Sequence, residues 1–269
     1  MDWNGKNIVI TGGSSGLGKK IAEGFVRRGS NVLVFTLEEE LGVSTKEELS
    51  KIGTGSIDYI RVDITNDEDC RDAFRKVESY FNGRIDVFVN NAGRSFRGRI
   101  EQTSVEDFRS LMELNFFATV RCTLLAIPML RKNQGTIVNI GSLASKGVSR
   151  WIAAYGATKY AVAAYTQQLR LELKDIGIHA MLVCPGPVSR NNPRLYQHKN
   201  ADQIPEAARR PGAGIKTAPV KVEKLVDSII KGIERKKEEI VLPRKARILF
   251  VLYQICPKLG DWITRKMTA

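Results

Sequence analysis

Asn7-Ile8-Val9-Ile10-Thr11-Gly12-Gly13-Ser14-Ser15-Gly16-Leu17-Gly18 is the stretch that decides the fold. Residues 7–10 read as a short buried strand that runs straight into a glycine-rich turn. An amphipathic run over residues 19–28 follows, and Gly29 closes it as a helix C-cap. Strand, turn and helix in this order let backbone N–H groups and a helix N-terminus face a pyrophosphate. The spacing is Gly-x-x-x-Gly-x-Gly, not the Gly-x-Gly-x-x-Gly of the commoner dinucleotide fingerprint. A glycine-rich turn alone is often only a loop; the strand before it and the helix after it set this one apart.

Outward from that unit, strand-like and helix-like runs alternate. Strands are expected over residues 8–11, 32–36, 57–62, 87–90, 136–140, 180–184 and 240–242. Helices are expected over 17–28, 67–81, 104 to about 132, 153–176 and 222–235. The alternation implies one α/β domain, a Rossmann-type, doubly wound parallel sheet of about seven strands with helices on both faces. A chain of 269 residues, 43% of them hydrophobic, can bury one large core of this kind. The domain is expected over residues 1–243, with 186–218 as a substrate-side loop or lid and 244–269 as a basic, apolar extension.

Tyr155 is followed one helical turn later by Lys159, and Ser142 lies upstream after a strand. A phenol titrates near ~10, too high for acid–base work at neutral pH. A lysine on the same helical face favours the phenolate and pulls that value down. A nearby serine hydroxyl can hold a carbonyl or alcohol oxygen while the tyrosine moves the proton. This is carbonyl/alcohol redox chemistry with no metal. The bland readings are a helix or turn cap for Ser142 and a chance surface pattern for Tyr-x-x-x-Lys. Asn115 lies inside an expected helix, a poor place for asparagine unless something there uses its amide. Tyr160 and Tyr165 have no lysine four residues on and read as packing residues. Only two histidines occur, and His179, in a strand, reads as structural.

With these pieces placed, the chain resembles the short-chain dehydrogenase/reductase family, from Lys6 to about Leu242. Thr11-Gly12-x3-Gly16-x-Gly18 is similar to the family's cofactor turn, so Gly12, Ser14, Ser15, Gly16, Leu17 and Gly18 are expected to bind cofactor. Asp63-Ile64 matches the pair that contacts adenine, and Asn90-Asn91-Ala92-Gly93 the signature beside the cofactor, which brings in Asn91, Ala92 and Gly93. Pro185-Gly186-Pro187-Val188 matches the segment closing over the nicotinamide, which brings in Pro185, Gly186 and Val188. The resemblance makes Asn115, Ser142, Tyr155 and Lys159 the catalytic set. It implies hydride transfer between nicotinamide and a ketone, aldehyde or secondary alcohol. Tyr155 would exchange the proton, Lys159 bind the ribose hydroxyls and tune Tyr155, Ser142 orient the oxygen, and Asn115 hold a water joining the lysine to solvent. One departure is Arg190, where the family has a threonine contacting the nicotinamide amide.

Cofactor choice turns on Thr36, where NAD-dependent members carry an aspartate. A neutral residue removes the repulsion that would exclude a 2′-phosphate, so NADP is favoured over NAD, although Glu38, Glu39 and Glu40 follow. The formal charge of +13 invites a nucleic-acid reading, but no nucleic-acid motif accompanies it. Arg94, Arg97 and Arg99, with Arg190, Arg194, Lys199, Arg209, Arg210 and Lys216, read either as solvated surface or as a mouth for an anionic substrate, an acyl carrier or a membrane. A 3-oxoacyl reductase and a non-catalytic nucleotide sensor are the alternative functions.

The four cysteines have no metal-ligand spacing and read as buried thiols in a reducing, cytoplasmic setting; no metal site and no N-terminal leader are expected. The resemblance implies a homodimer or homotetramer built through the two long helices. In the tail, a helix around residues 248–255 is expected to end at Pro257 and Gly260, turning the chain back so that Trp262 and Ile263 pin the terminus. It would cover the pocket or a partner subunit, or lie on a membrane surface.

Overall fold

The computed structural model describes residues 2–189, 203–214 and 218–268. Seven strands form one all-parallel sheet: β1 (Asn7–Thr11), β2 (Asn31–Thr36), β3 (Ser56–Arg61), β4 (Val87–Asn90), β5 (Thr136–Ile140), β6 (His179–Pro185) and β7 (Glu239–Leu242). Their spatial order is β3-β2-β1-β4-β5-β6-β7, so the order of strand addition reverses between β1 and β4. The crevice at that reversal, outside the carboxyl ends of the strands, is where such sheets bind ligands.

Both faces are buried, and the strand period of two assigns residues to each. Ile8, Ile10, Val32 and Val34 turn to one face, under Ile21 and Phe25 of α1 (Gly16–Val26), Leu49 of α2 (Glu39–Leu49), and Leu225 and Ile229 of α8 (Val222–Glu234). Val9, Leu33, Phe35 and Phe88 turn to the other, against Phe74 and Val77 of α3 (Asp67–Tyr80), Cys122 and Ala126 of α5 (Ala118–Arg131), and Leu169 of α6 (Ala154–Glu172). Near-continuous β-branched and aromatic strands are what a sheet covered on both sides requires.

The structure departs from the sequence expectations at several elements. α2 was not expected. Its inward positions are Gly42, Thr45 and Leu49, which give almost no apolar stripe. Gly42 lies against the Tyr59 ring, where a Cβ would come within 2.5 Å. The single helix expected over 104–132 is α4 (Val105–Met112), a π-helical turn (Glu113–Phe117) and α5 in continuous succession. α6 ends at Glu172, and a short 3₁₀ turn (Lys174–Ile176) completes the remainder of its expected span.

The tail differs most. It forms two helices, α9 (Ala246–Ile255) and α10 (Pro257–Met267). α9 ends just before Pro257, as expected; Pro257 itself opens α10, at a position that suits its missing N–H, and α10 packs back on α9. Gly260 lies inside α10, pressed on the Tyr253 ring. Trp262 is exposed and pins nothing. Tyr160 and Cys256 are also exposed, contrary to the packing and buried-thiol readings, while Cys70, Cys122 and Cys184 are buried. Between β6 and α8 lies the short α7 (Glu206–Arg209). Arg190, Arg194, Lys199, Asp202 and Lys216 fall outside the described residues.

Candidate active site

The carboxyl ends of β1, β4, β5 and β6 meet around one crevice. β1 runs into the Gly12–Ser15 turn and then α1, whose N-cap Ser15 makes no side-chain cap, leaving the first N–H groups of the helix available. Gly18 packs its Cα under the turn: a Cβ there would fall well inside contact with the Gly12 carbonyl oxygen and 2.5 Å from Asn91 Nδ2. This backbone-on-backbone approach, with an uncapped helix N-terminus, is a cradle that fits a dinucleotide pyrophosphate.

Asn91 staples β4 to that cradle. Its Nδ2 donates to the carbonyls of Thr11 and Gly12, each at 3.1 Å, and its N–H donates to Thr11 Oγ1 at 3.0 Å. The Ala92 N–H donates to the same hydroxyl at 3.1 Å. The Asn91 side chain is therefore occupied in holding the turn. Thr11 is a site residue that sequence reading used only as part of a motif. Asn90 extends a second network, donating at 2.8 Å to Thr123 Oγ1 and to Asn139 Oδ1, while Asn139 donates to Thr166 Oγ1 at 2.9 Å. An asparagine in the middle of a strand, against propensity, is the sequence signal that could have found Asn139.

At the turn expected to face adenine, Asp63 Oδ1 accepts from the Thr65 N–H at 2.9 Å, shaping the segment that carries Ile64. Arg121 braces the same turn: its guanidinium bonds the Ile64 carbonyl at 3.0 Å and pairs with Asp67 and Glu113. Thr36 Oγ1 is 2.7 Å from Ser14 Oγ and donates to the Glu38 carbonyl at 3.0 Å. The Ser14 hydroxyl is thus committed to Thr36, and Ser15 is the exposed hydroxyl of the turn.

The four expected catalytic residues come from three places: the π-helical turn, the end of β5 and α6. Asn115 lies in the π-helical turn, a local widening that often marks functional sites. Its Oδ1 accepts from the Arg94 N–H at 2.9 Å, and its Nδ2 donates to the Arg94 carbonyl at 2.9 Å and to Thr158 Oγ1 at 3.0 Å. Ser142 follows β5, and its Oγ accepts from the Ala144 N–H at 3.1 Å, so it caps the 3₁₀ turn Leu143–Ser145 as the bland reading had it. A hydroxyl with a further lone pair and a proton keeps capacity for a substrate oxygen.

Tyr155 and Lys159 share a face of α6, with Lys159 Nζ 5.9 Å from the centre of the Tyr155 ring. Lys159 is buried and donates to the Ile140 carbonyl at 2.9 Å. Burial brings its pKa down to about 8. Trp151 (φ 68°) and Ala153 (φ 40°), just before α6, hold left-handed backbone that non-glycine residues adopt only under constraint. The Gly98 N–H donates to the Trp151 carbonyl at 3.0 Å, tying this segment to the chain beyond Gly93. Arg150 lies over the Trp151 ring at 4.4 Å.

The side of the crevice expected to take substrate is bordered by the segment after β6. The Gly186 N–H donates to the Leu242 carbonyl at 2.7 Å, and Val188 bridges Val220. The basic mouth is only partly formed by the residues that suggested it. Arg97 is buried and turned inward, donating to the Ala208 carbonyl of α7 at 3.0 Å; Arg94 donates to Ser110 Oγ at 3.1 Å, and Arg99 pairs with Glu101. His179 bonds the Lys237 carbonyl at 2.9 Å, far from this crevice in role, as its structural reading expected.

Residues 6–200 match the family described as short chain dehydrogenase. The chain is 29% identical to 11-beta-hydroxysteroid dehydrogenase A of Sesamum indicum over 99% of its own length and 76% of that protein's. It is 36% identical to L-fucose dehydrogenase of Bos taurus, over 68% of this chain and 66% of that one. The solved structure of a short-chain dehydrogenase from Streptomyces avermitilis superposes with a TM-score of 0.81 at 26% identity, covering 99% of this chain and 98% of that chain.

Proposed function

The chain belongs to the short-chain dehydrogenase family and is an oxidoreductase of CH–OH groups; we propose that it interconverts a bulky, apolar secondary alcohol and its ketone, with NADP preferred to NAD. The observation that carries the reading is the buried Lys159 on the same helical face as Tyr155, beside the Gly12–Gly18 cradle and the Ser142 turn. Similarity to a hydroxysteroid dehydrogenase over nearly the whole chain, the tail included, favours a large apolar substrate, whereas similarity to sugar dehydrogenases spans 68–78% of it.

The nicotinamide would supply the hydride donor or acceptor. Gly12, Ser15, Gly16, Leu17 and Gly18 would bind its pyrophosphate, Asp63 and Ile64 its adenine, and Pro185, Gly186 and Val188 would close over the nicotinamide side. Tyr155 gives its phenolic proton to the carbonyl oxygen in reduction and takes the hydroxyl proton in oxidation. Lys159 lowers the cost of the resulting phenolate by its charge. With a pKa near 8 it is mostly charged at neutral pH. Ser142 holds the reacting oxygen, and Asn115 fixes the Arg94 backbone beside Gly93. Three buried thiols suit a reducing, cytoplasmic setting.

The preference for NADP rests on Thr36, which places no carboxylate at the end of β2. Nicotinamide absorbance over steroids, bulky ketones, aldehydes, sugars and acyl thioesters, with each cofactor, tests both parts. Turnover confined to sugars or thioesters would overturn the substrate class. Tighter binding of NAD than NADP would overturn the cofactor preference, and Thr36→Asp should shift the ratio toward NAD by adding repulsion to a 2′-phosphate.

A further inference from the structure

α9 and α10 pack on each other through Tyr253 and Gly260, and α9 turns Phe250 and Tyr253 inward onto Gly147, just past the Ser142 turn. The outer face of the pair is apolar and, among the described residues, uncovered. Ile248 is 67% exposed, Ile255 76% and Trp262 54%, with Val251 and Leu259 exposed between them. Ile248, Val251 and Ile255 fall on one side of α9 by helical spacing, and Leu259 and Trp262 on one side of α10. Cations flank this stripe along the sequence: Arg244, Lys245 and Arg247 around the start of α9, Arg247 lying 3.7 Å from Glu239, then Lys258 at the start of α10 and Arg265 and Lys266 at its end, with Asp261 the one carboxylate within residues 244–269. Lys266 Nζ lies 4.4 Å from the Trp262 ring, an amphipathic pair of the kind found at water–lipid boundaries.

We propose that this face docks the protein on the surface of an anionic lipid bilayer. The apolar stripe enters the headgroup boundary while the surrounding lysines and arginines meet the lipid phosphates. A second copy of the chain is a poor occupant, because two-fold pairing of this face would set its six cations against six more. Among the described residues no loop lies on this face, and the opposite side of α9 covers residues 143–147. The proposal stands independently of which substrate the enzyme takes.

The test uses the full-length protein and vesicles of phosphatidylcholine alone or with roughly one quarter phosphatidylglycerol. Co-sedimentation should occur with the mixed vesicles only, and should weaken at least about tenfold in ~0.5 M salt. The double variant Ile248→Glu, Ile255→Glu should bind at least about tenfold more weakly, with unchanged turnover of a water-soluble substrate. An environment-sensitive dye on the exposed Cys256 should shift to the blue on adding mixed vesicles, which reads the same event in an otherwise unaltered chain. No binding to mixed vesicles, equal binding by the variant, or a fall in sedimented mass of the variant without lipid would each overturn the proposal. The last result would make the stripe an interface between copies.

Discussion

At the scale of single residues, the proposed chemistry depends on one phenol and one amine. Tyr155→Phe keeps the ring and its packing and removes only the proton, so turnover should fall by about 10²–10⁴-fold with cofactor affinity nearly unchanged. A variant retaining a tenth of the wild-type rate would rule out a tyrosine acid. Lys159 makes a separate prediction about stability. Its folded pKa of about 8 lies below the ordinary lysine value, so the folded state binds fewer protons than the unfolded state above that pH. The cofactor-free protein therefore bears a penalty at pH 7 that is relieved as pH rises from about 8 towards the ordinary lysine value. Lys159→Met should flatten the pH dependence of denaturant stability across that window. An unchanged slope would mean that the amine is solvated. The absolute stability of the variant is a poorer guide, because the Ile140 carbonyl loses its donor.

At the scale of elements, function depends on how tightly turns approach one another. The turn proposed to cradle the cofactor exists because Gly18 lets α1 sit directly under the Gly12 carbonyl. Gly18→Ala should push these backbones apart, weakening cofactor binding at least tenfold and costing about 1–3 kcal/mol of stability, as overpacking does. Fluorescence titration of cofactor and thermal unfolding read the two effects; wild-type affinity in the variant would exclude the turn as the pyrophosphate site. The π-helical turn is a second such device. It places Asn115 where both ends of its amide reach the Arg94 backbone, a contact that a regular helix would carry past that strand end.

At the scale of the whole molecule, the helices on one side of the sheet are too apolar for a solvated outer surface. Val105–Arg131 is long and apolar enough to cross a membrane by length and composition, yet Cys122, Ala126 and Leu130 on its inner side belong to the core. Its outer side exposes Val105, Phe117 and Leu124, and α6 exposes Tyr160 and Leu171. These surfaces are the expected subunit contacts of a homodimer or homotetramer. Sedimentation velocity should show an assembly at micromolar concentration, and Leu124→Glu should dissociate it. A single species of the 30.0 kDa chain mass would overturn this expectation.

The sequence alone determined the features that local rules govern. The buried apolar runs at residues 7–10 and 32–36, the glycine spacing from Gly12 to Gly18, and the alternation of strand and helix were enough for a parallel sheet of about seven strands. Tyr155 and Lys159 were legible because their relation is one helical turn. Tertiary structure decided what depends on distant partners. α2 was invisible because its inward face is chosen by the Tyr59 ring and not by a hydrophobic stripe of its own. The Asn91 amide was assigned to the turn, the Ser14 hydroxyl to Thr36 and the Arg97 guanidinium to the Ala208 carbonyl, because buried polar groups must find partners wherever the fold brings them. Likewise, composition marked the tail as apolar and basic, but only its packing on the 143–147 turn decided which of those residues face outward.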